Sequence, residues 1–88
     1  MNAERRPRLG KGIKLHHDRD GGVMLLVPEG ALVLNPSAAV ALELADGKHT
    51  LTEIVDAIVE RFDVSADGAR DDFEALFDRL AQRGFILQ

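Results

Sequence analysis

Hydrophobic and polar positions change period along this chain, and the changes mark its elements. From Ile13 to His17 they alternate, with Ile13, Leu15 and His17 on one face and Lys14 and His16 on the other, which is the period of a strand. Asp18-Arg19-Asp20-Gly21-Gly22 is rich in turn formers and predicts a chain reversal. Val23 to Val27 is continuously apolar and is expected as a strand covered on both faces. Pro28-Glu29-Gly30 turns the chain again, and Ala31 to Leu34 is expected as a third strand at the edge of an antiparallel meander. Beyond residue 50 the period lengthens. Leu51, Ile54, Val55, Ile58, Val59 and Phe62 recur at helical spacing and predict a helix over about 51–62. Ala69, Phe73, Leu76, Phe77 and Leu80 form a second stripe on a helix over about 66–83, with Arg70, Asp71, Glu74, Asp78 and Arg79 largely off it.

Capping residues punctuate the same segments. Asn35 can accept a hydrogen bond from the first turn of a helix over about 36–46, and Pro36 fits the first helical position, where its missing N–H costs nothing. Gly47 offers a left-handed stop. Thr50-Leu51-Thr52-Glu53 has capping-box spacing, and Ser65 is placed to cap the last helix. Gly84 matches a helix stop that folds Phe85 back toward Leu80, after which Phe85-Ile86-Leu87 either adds a short strand or packs on the core. The expected architecture is α+β and winged-helix-like: a three-stranded antiparallel sheet followed by three helices. Such a layout leaves a strand edge beside a helix, and that edge can take up a peptide.

Composition narrows the function. Eighty-eight residues, 45% of them hydrophobic, make a single folded domain, here divided into a flexible basic arm over 1–12 and a domain over 13–88. Residues 1–19 carry six basic side chains against Glu4 and Asp18, a balance of +4, so the remainder carries −8 of the net −4. An acidic body disfavours nucleic acid, whose binding rests on Lys and Arg at phosphates. A helix-turn-helix reading of the last two helices meets Asp67, Asp71, Asp72, Glu74 and Asp78 on the would-be recognition helix. There is no cysteine, no apolar run long enough to span a membrane and no signal-peptide pattern, so a soluble, cytoplasmic chain is expected.

Candidate chemistry is sparse. His16 and His17 are neighbours on a strand and point to opposite faces, and His49 lies in a loop, so no metal site is expected. Ser37 and Ser65 stand at helix starts, where first-turn or capping roles account for them. Asp71-Asp72 and Asp18-x-Asp20 suit solvated faces, and Gly21-Gly22 precedes no helix that would make it a phosphate loop. No catalytic residue, no cofactor and no enzymatic activity are expected.

Several of these segments together resemble the PqqD family. They are Leu34-Asn35 through Ala38 and Leu42 to Asp46-Gly47, followed by Thr50, Glu53 and Ile54, with the Arg6-Pro7-x-Leu9 arm, Gly12-x-x-Leu15 and the Arg83-Gly84-Phe85 ending. The resemblance covers about residues 5–87. It implies a peptide chaperone in pyrroloquinoline quinone biosynthesis. Such a chaperone binds the leader of the ribosomally made precursor PqqA and presents it to the radical-SAM enzyme PqqE, which cross-links a Glu and a Tyr. It further implies that the leader adds as a strand to the third strand, beside the third helix. Those positions fall on Ala31, Leu32, Val33 and Leu34 and on Phe73, Leu76, Phe77 and Leu80. Leu32, Leu34, Phe73, Leu76 and Leu80 equally suit a plain core, while Phe77, at the margin of its stripe, is expected as a groove wall. The family often has a carboxylate where this chain has Val33, a difference that favours another leader side chain or self-association at the edge. A monomer or weak homodimer is expected. A leader-binding adaptor of another modified-peptide pathway is the alternative, and winged-helix DNA binding a distant third.

Overall fold

The computed structural model describes residues 4–88. Its elements are β1 (Arg8–Leu9), β2 (Lys14–His17), β3 (Val23–Val27), β4 (Gly30–Leu34), α1 (Pro36–Glu43), α2 (Leu51–Phe62), α3 (Ala66–Gln82) and β5 (Ile86–Leu87). Strands β2, β3 and β4 form the expected antiparallel meander, in that order, and β1 pairs antiparallel with β5 as a separate two-stranded ribbon. In the meander Leu15 pairs with Leu25 and Leu25 with Leu32, so these three side chains share the face turned toward the helices. Met24, His16 and Val33 share the opposite face. That outer face stays open, which corrects the expectation that both faces of β3 are covered: Leu25 is fully buried, whereas Leu26 is 36% exposed. A three-stranded sheet with all its helices on one side has nothing to lay over the other.

The helix starts follow from local chemistry. Asn35 Oδ1 accepts from the Ala38 N–H at 2.8 Å. The Thr50 hydroxyl accepts from the Glu53 N–H at 3.1 Å, while the Glu53 carboxylate accepts from the Thr50 N–H at 2.7 Å, completing the capping box. Ser65 Oγ accepts from Gly68. At the far end of α3 the Phe85 N–H reaches the Leu80 carbonyl and the Gly84 N–H the Ala81 carbonyl, with Gly84 at φ +78°. These are the paired bonds of a Schellman ending. The core gathers Leu25, Leu42, Leu51, Ile54, Ile58, Phe77 and Ile86, all nearly or fully buried.

Two expectations fail for one reason. The basic arm was expected to be flexible over 1–12; residues 1–3 lie outside the described residues, and residues 4–12 are docked. Pro7 is fully buried, its carbonyl accepts from Gly47 N–H, the Arg5 carbonyl accepts from Leu51 N–H, and Gly10 N–H donates to the Phe85 carbonyl. The Arg5 guanidinium, 10% exposed, meets Asp78 at 3.0 Å. Helix α1 in turn stops at Glu43 instead of reaching 46, because the following residues serve the arm. Asp46 bridges to Arg8, its carboxylate accepts from the Lys48 and His49 N–H groups, and Gly47, left-handed at φ +80°, hydrogen-bonds to Pro7. Those donated bonds, that of Lys48 first, hold the Asp46 carboxyl below its ordinary range.

Candidate functional site

Strand β4 pairs with β3 on one side and, among the described residues, with no strand on the other. Its sequence, Gly30-Ala31-Leu32-Val33-Leu34, carries no charge, and four of its five residues are exposed. Leu32 is 42% exposed and Val33 84%. The open edge faces α3, and the space between them is a groove made of two cavities that meet at Leu76 and Arg79. One, of about 460 Å³, is bounded by Val33, Leu34, Asn35 and Ala38 on one side and by Asp72, Phe73, Ala75, Leu76 and Arg79 on the other. The second, of about 280 Å³, lies between Val27, Glu29 and Leu32 and the Leu76–Arg79–Leu80–Arg83 face, with Phe85 at its end. The groove is apolar along its floor and charged at its rims.

Seven of the eight residues expected here lie along this groove or on its strand. Val33, Leu34, Phe73 and Leu76 line the first cavity, Leu32, Leu76 and Leu80 the second, and Ala31 lies on the open strand between its ends. Phe77 does not fit. It is fully buried in the core and lines neither cavity, so its expected role as a groove wall is corrected. The wall is Leu76, which is half-buried. At about 100° per residue, Leu76 and Phe77 stand on opposite margins of the stripe centred on Ala69, Phe73 and Leu80. One margin turns into the core and the other toward β4, and stripe width alone does not say which.

The charged rim was missed. Asp72, Arg79 and Arg83 recur with Leu76 at steps of four, three and four residues, the spacing of a single helix face, and this periodicity was the signal available. The Arg83 guanidinium lies 5.5 Å from the centroid of the Phe85 ring, which holds it at the end of the groove.

The histidines lie apart from the groove, each beside a single carboxylate: His16 with Asp18 at 3.0 Å, His17 with Glu43 at 3.2 Å and His49 with Asp46 at 3.0 Å. Among the described residues no cluster of three or more His, Asp or Glu side chains is arranged to hold a metal, and no helix is long and apolar enough to cross a membrane. What the groove offers chemically is an unpaired backbone edge, apolar side pockets and unpaired charges. These are the features that an added extended strand would pair with.

Comparison with known proteins bears on this geometry. The family model described as Coenzyme PQQ synthesis protein D (PqqD) matches residues 22–86. A PqqA binding protein of Methylococcus capsulatus is 40% identical over 63 residues, 72% of this chain and 66% of that protein, so the match spans just under two thirds of that relative. A PqqA binding protein of Rahnella aquatilis is 35% identical over 81 residues, 91% of this chain and 84% of that protein. Among solved structures, the solution NMR structure of the PqqD truncation of Methylobacterium extorquens PqqCD is similar. It is described as a functional, stand-alone recognition element for ribosomally synthesized and post-translationally modified peptides. It has a TM-score of 0.76 at 28% identity, covering 93% of this chain and 88% of that one. A lasso peptide synthetase B1 complexed with the leader peptide gives a TM-score of 0.77 at 24% identity, over 94% of this chain and 99% of that one, a likeness of fold alone.

Proposed function

This chain belongs to the PqqD family, and on that premise we propose that it is a peptide chaperone that binds the leader of the precursor PqqA. One observation carries the reading: β4 has an unpartnered edge with exposed Leu32 and Val33, set against a groove walled by Leu76. A leader strand added to that edge gains backbone hydrogen bonds, and alternate side chains enter the pockets below. The chaperone then presents the core of PqqA to the radical-SAM enzyme PqqE. It works in the cytoplasm, where ribosomal peptides are made, as a monomer or weak homodimer. It has no turnover of its own. Its contribution is mass action, since a short flexible tether holds the core near the enzyme at an effective concentration on the order of millimolar.

The test is a titration of the ¹⁵N-labelled chain with PqqA of Methylococcus capsulatus. Amide signals of residues 31–34 and of 72–83 should move together. Shifts confined to residues 51–62 would displace the site. A second assay follows PqqA modification by PqqE with and without the chain over a PqqA concentration series. If tethering is the whole contribution, saturating PqqA partly replaces the chain. Complete dependence at saturation points instead to a conformational change that the chain induces.

A further inference from the structure

We propose that the groove also selects its leader segment by charge order: a basic side chain at the Leu34 end, an apolar one over Leu76 and an acidic one at the Gly30 end. The inference rests on leader docking at β4 and adds a side-chain rule to it.

The order follows from how α3 crosses the strand. Val33 and Leu34 share a cavity with Asp72, whereas Leu32, Val27 and Glu29 share one with Arg83, so α3 and β4 run in opposite directions. The line Asp72–Leu76–Arg79–Arg83 rises through 11 residue steps, about 16 Å, and the five residues of β4 cover about 13 Å of it. A strand that continues the antiparallel meander therefore enters at Asp72 and leaves at Arg83. Its inward side chains, on every second residue, are spaced by about 6.7 Å. The first meets Asp72 and the second Leu76, and the third falls between Arg79 and Arg83. This reads as a Lys/Arg-x-apolar-x-Asp/Glu segment.

The charges are available for this use. Among the described residues Asp72, Arg79 and Arg83 form no ion pair. Glu29 stands at the Arg83 end, likewise without an ion pair; Arg79 lies where the two cavities meet, so the basic side chains gather from the middle of the groove to its Arg83 end, and Asp72 is the charged side chain at the other end. Arg83 is held in place over Phe85, whose own N–H caps α3. All three side chains are exposed. Their pull is therefore modest in water and weakens with salt, which suits choosing among segments better than driving affinity.

The experiment measures fluorescence anisotropy of labelled Methylococcus capsulatus PqqA against the unaltered chain and against the Arg79→Glu/Arg83→Glu and Asp72→Lys variants. Amide spectra and urea midpoints confirm that each variant is folded. The double reversal should weaken binding roughly five- to thirtyfold at low salt, with the difference shrinking as salt is raised. Replacing each acidic residue of the peptide in turn by Lys should identify one position whose loss is similar, and this peptide should bind better to Arg79→Glu/Arg83→Glu than to the unaltered chain. Binding of the double variant within twofold of the unaltered chain at low salt, or the lack of any rescued peptide, overturns the charge order and leaves leader docking standing. Failure of native PqqA to bind the unaltered chain overturns docking itself, and the charge order with it.

Discussion

Truncating Leu76 and truncating Phe77 should separate binding from folding, although the two residues are neighbours. Phe77 is fully buried among Leu25, Ile54, Ile58 and Ile86 in the core. Phe77→Ala removes most of an aromatic ring with no solvent to refill the space, and should cost about 3–5 kcal/mol of stability. For a domain of this size that is a large part of the total, on the order of 5–10 kcal/mol. Leu76 is half-buried and lines both cavities of the groove. Full burial of a leucine is worth about 1.5–3 kcal/mol, so truncating one that already meets water should cost about 1 kcal/mol of stability. A bound strand would cover the rest of the side chain from both cavities. Leu76→Ala should then lose about 1–1.5 kcal/mol of binding, a five- to tenfold rise in Kd. Urea unfolding gives the first quantity and anisotropy of labelled PqqA the second. Phe77→Ala should bind nearly normally once corrected for its unfolded fraction. If Leu76→Ala leaves Kd unchanged while folded Phe77→Ala raises it, the groove wall has been assigned to the wrong margin of α3.

Three further outcomes follow from single sites. Asp63, at the end of α2, has φ 51° and is the one non-glycine residue with positive φ among those described; Asp63→Gly should raise stability by about 0.5 kcal/mol, read as a higher urea midpoint. Gly10 lies so near the turn that ends α3 that an added Cβ would stand 2.5 Å from the Gly84 carbonyl oxygen. Gly10→Ala should therefore cost about 1–3 kcal/mol and loosen the β1–β5 ribbon, seen as faster exchange of the residue 10 amide, which donates to the Phe85 carbonyl. The Glu53 carboxyl is held below its ordinary 4.5, chiefly by the hydrogen bond donated from Thr50 N–H. A depressed carboxyl contributes stability that is fully present above 4.5 and is lost as the pH falls through its lower folded value. Glu53→Gln should accordingly flatten the acid limb of a stability–pH profile, with a deficit that is largest above 4.5 and shrinks as the pH falls through that lower value.

What was legible in the sequence was whatever a few neighbouring residues decide. The caps at Asn35, Thr50 and Ser65 and the stop at Gly84 each close within about three residues, and all form as read. The meander and the edge position of β4 followed from alternation and turn chemistry. What was not legible depends on distant partners. Pro7 and Gly10 look like breakers in a charged tail, yet Pro7 is buried against Gly47 and Gly10 is hydrogen-bonded to Phe85. Arg5 meets a carboxylate 73 residues away. The arm's docking then shortened α1 by enlisting Asp46, so one long-range contact displaced two local readings. Beside β4, periodicity put Phe73, Leu76 and Leu80 on one stripe of α3, and all three line the groove. It could not rank Leu76 against Phe77, because a stripe has two margins and the neighbours decide which one is open.

An apolar edge strand is ordinarily a hazard, and proteins blunt it with charge, proline or cover. Strand β4 has no charge and no proline, and Val33, at 84% exposure, lies on its open face. The protection stands elsewhere: the strand is only five residues long, and the charges that border its edge, Asp72, Arg79 and Arg83, belong to α3. Those charges do not close the edge. They set conditions on what pairs with it. A second copy of β4 brings backbone and apolar side chains but no charged residue to answer either rim, and every copy carries the same net charge of −4. A peptide strand with complementary side chains answers both rims. The same residues can thus leave the backbone edge unpaired and make pairing with another copy the weaker choice, which is what a site that reads an extended peptide requires.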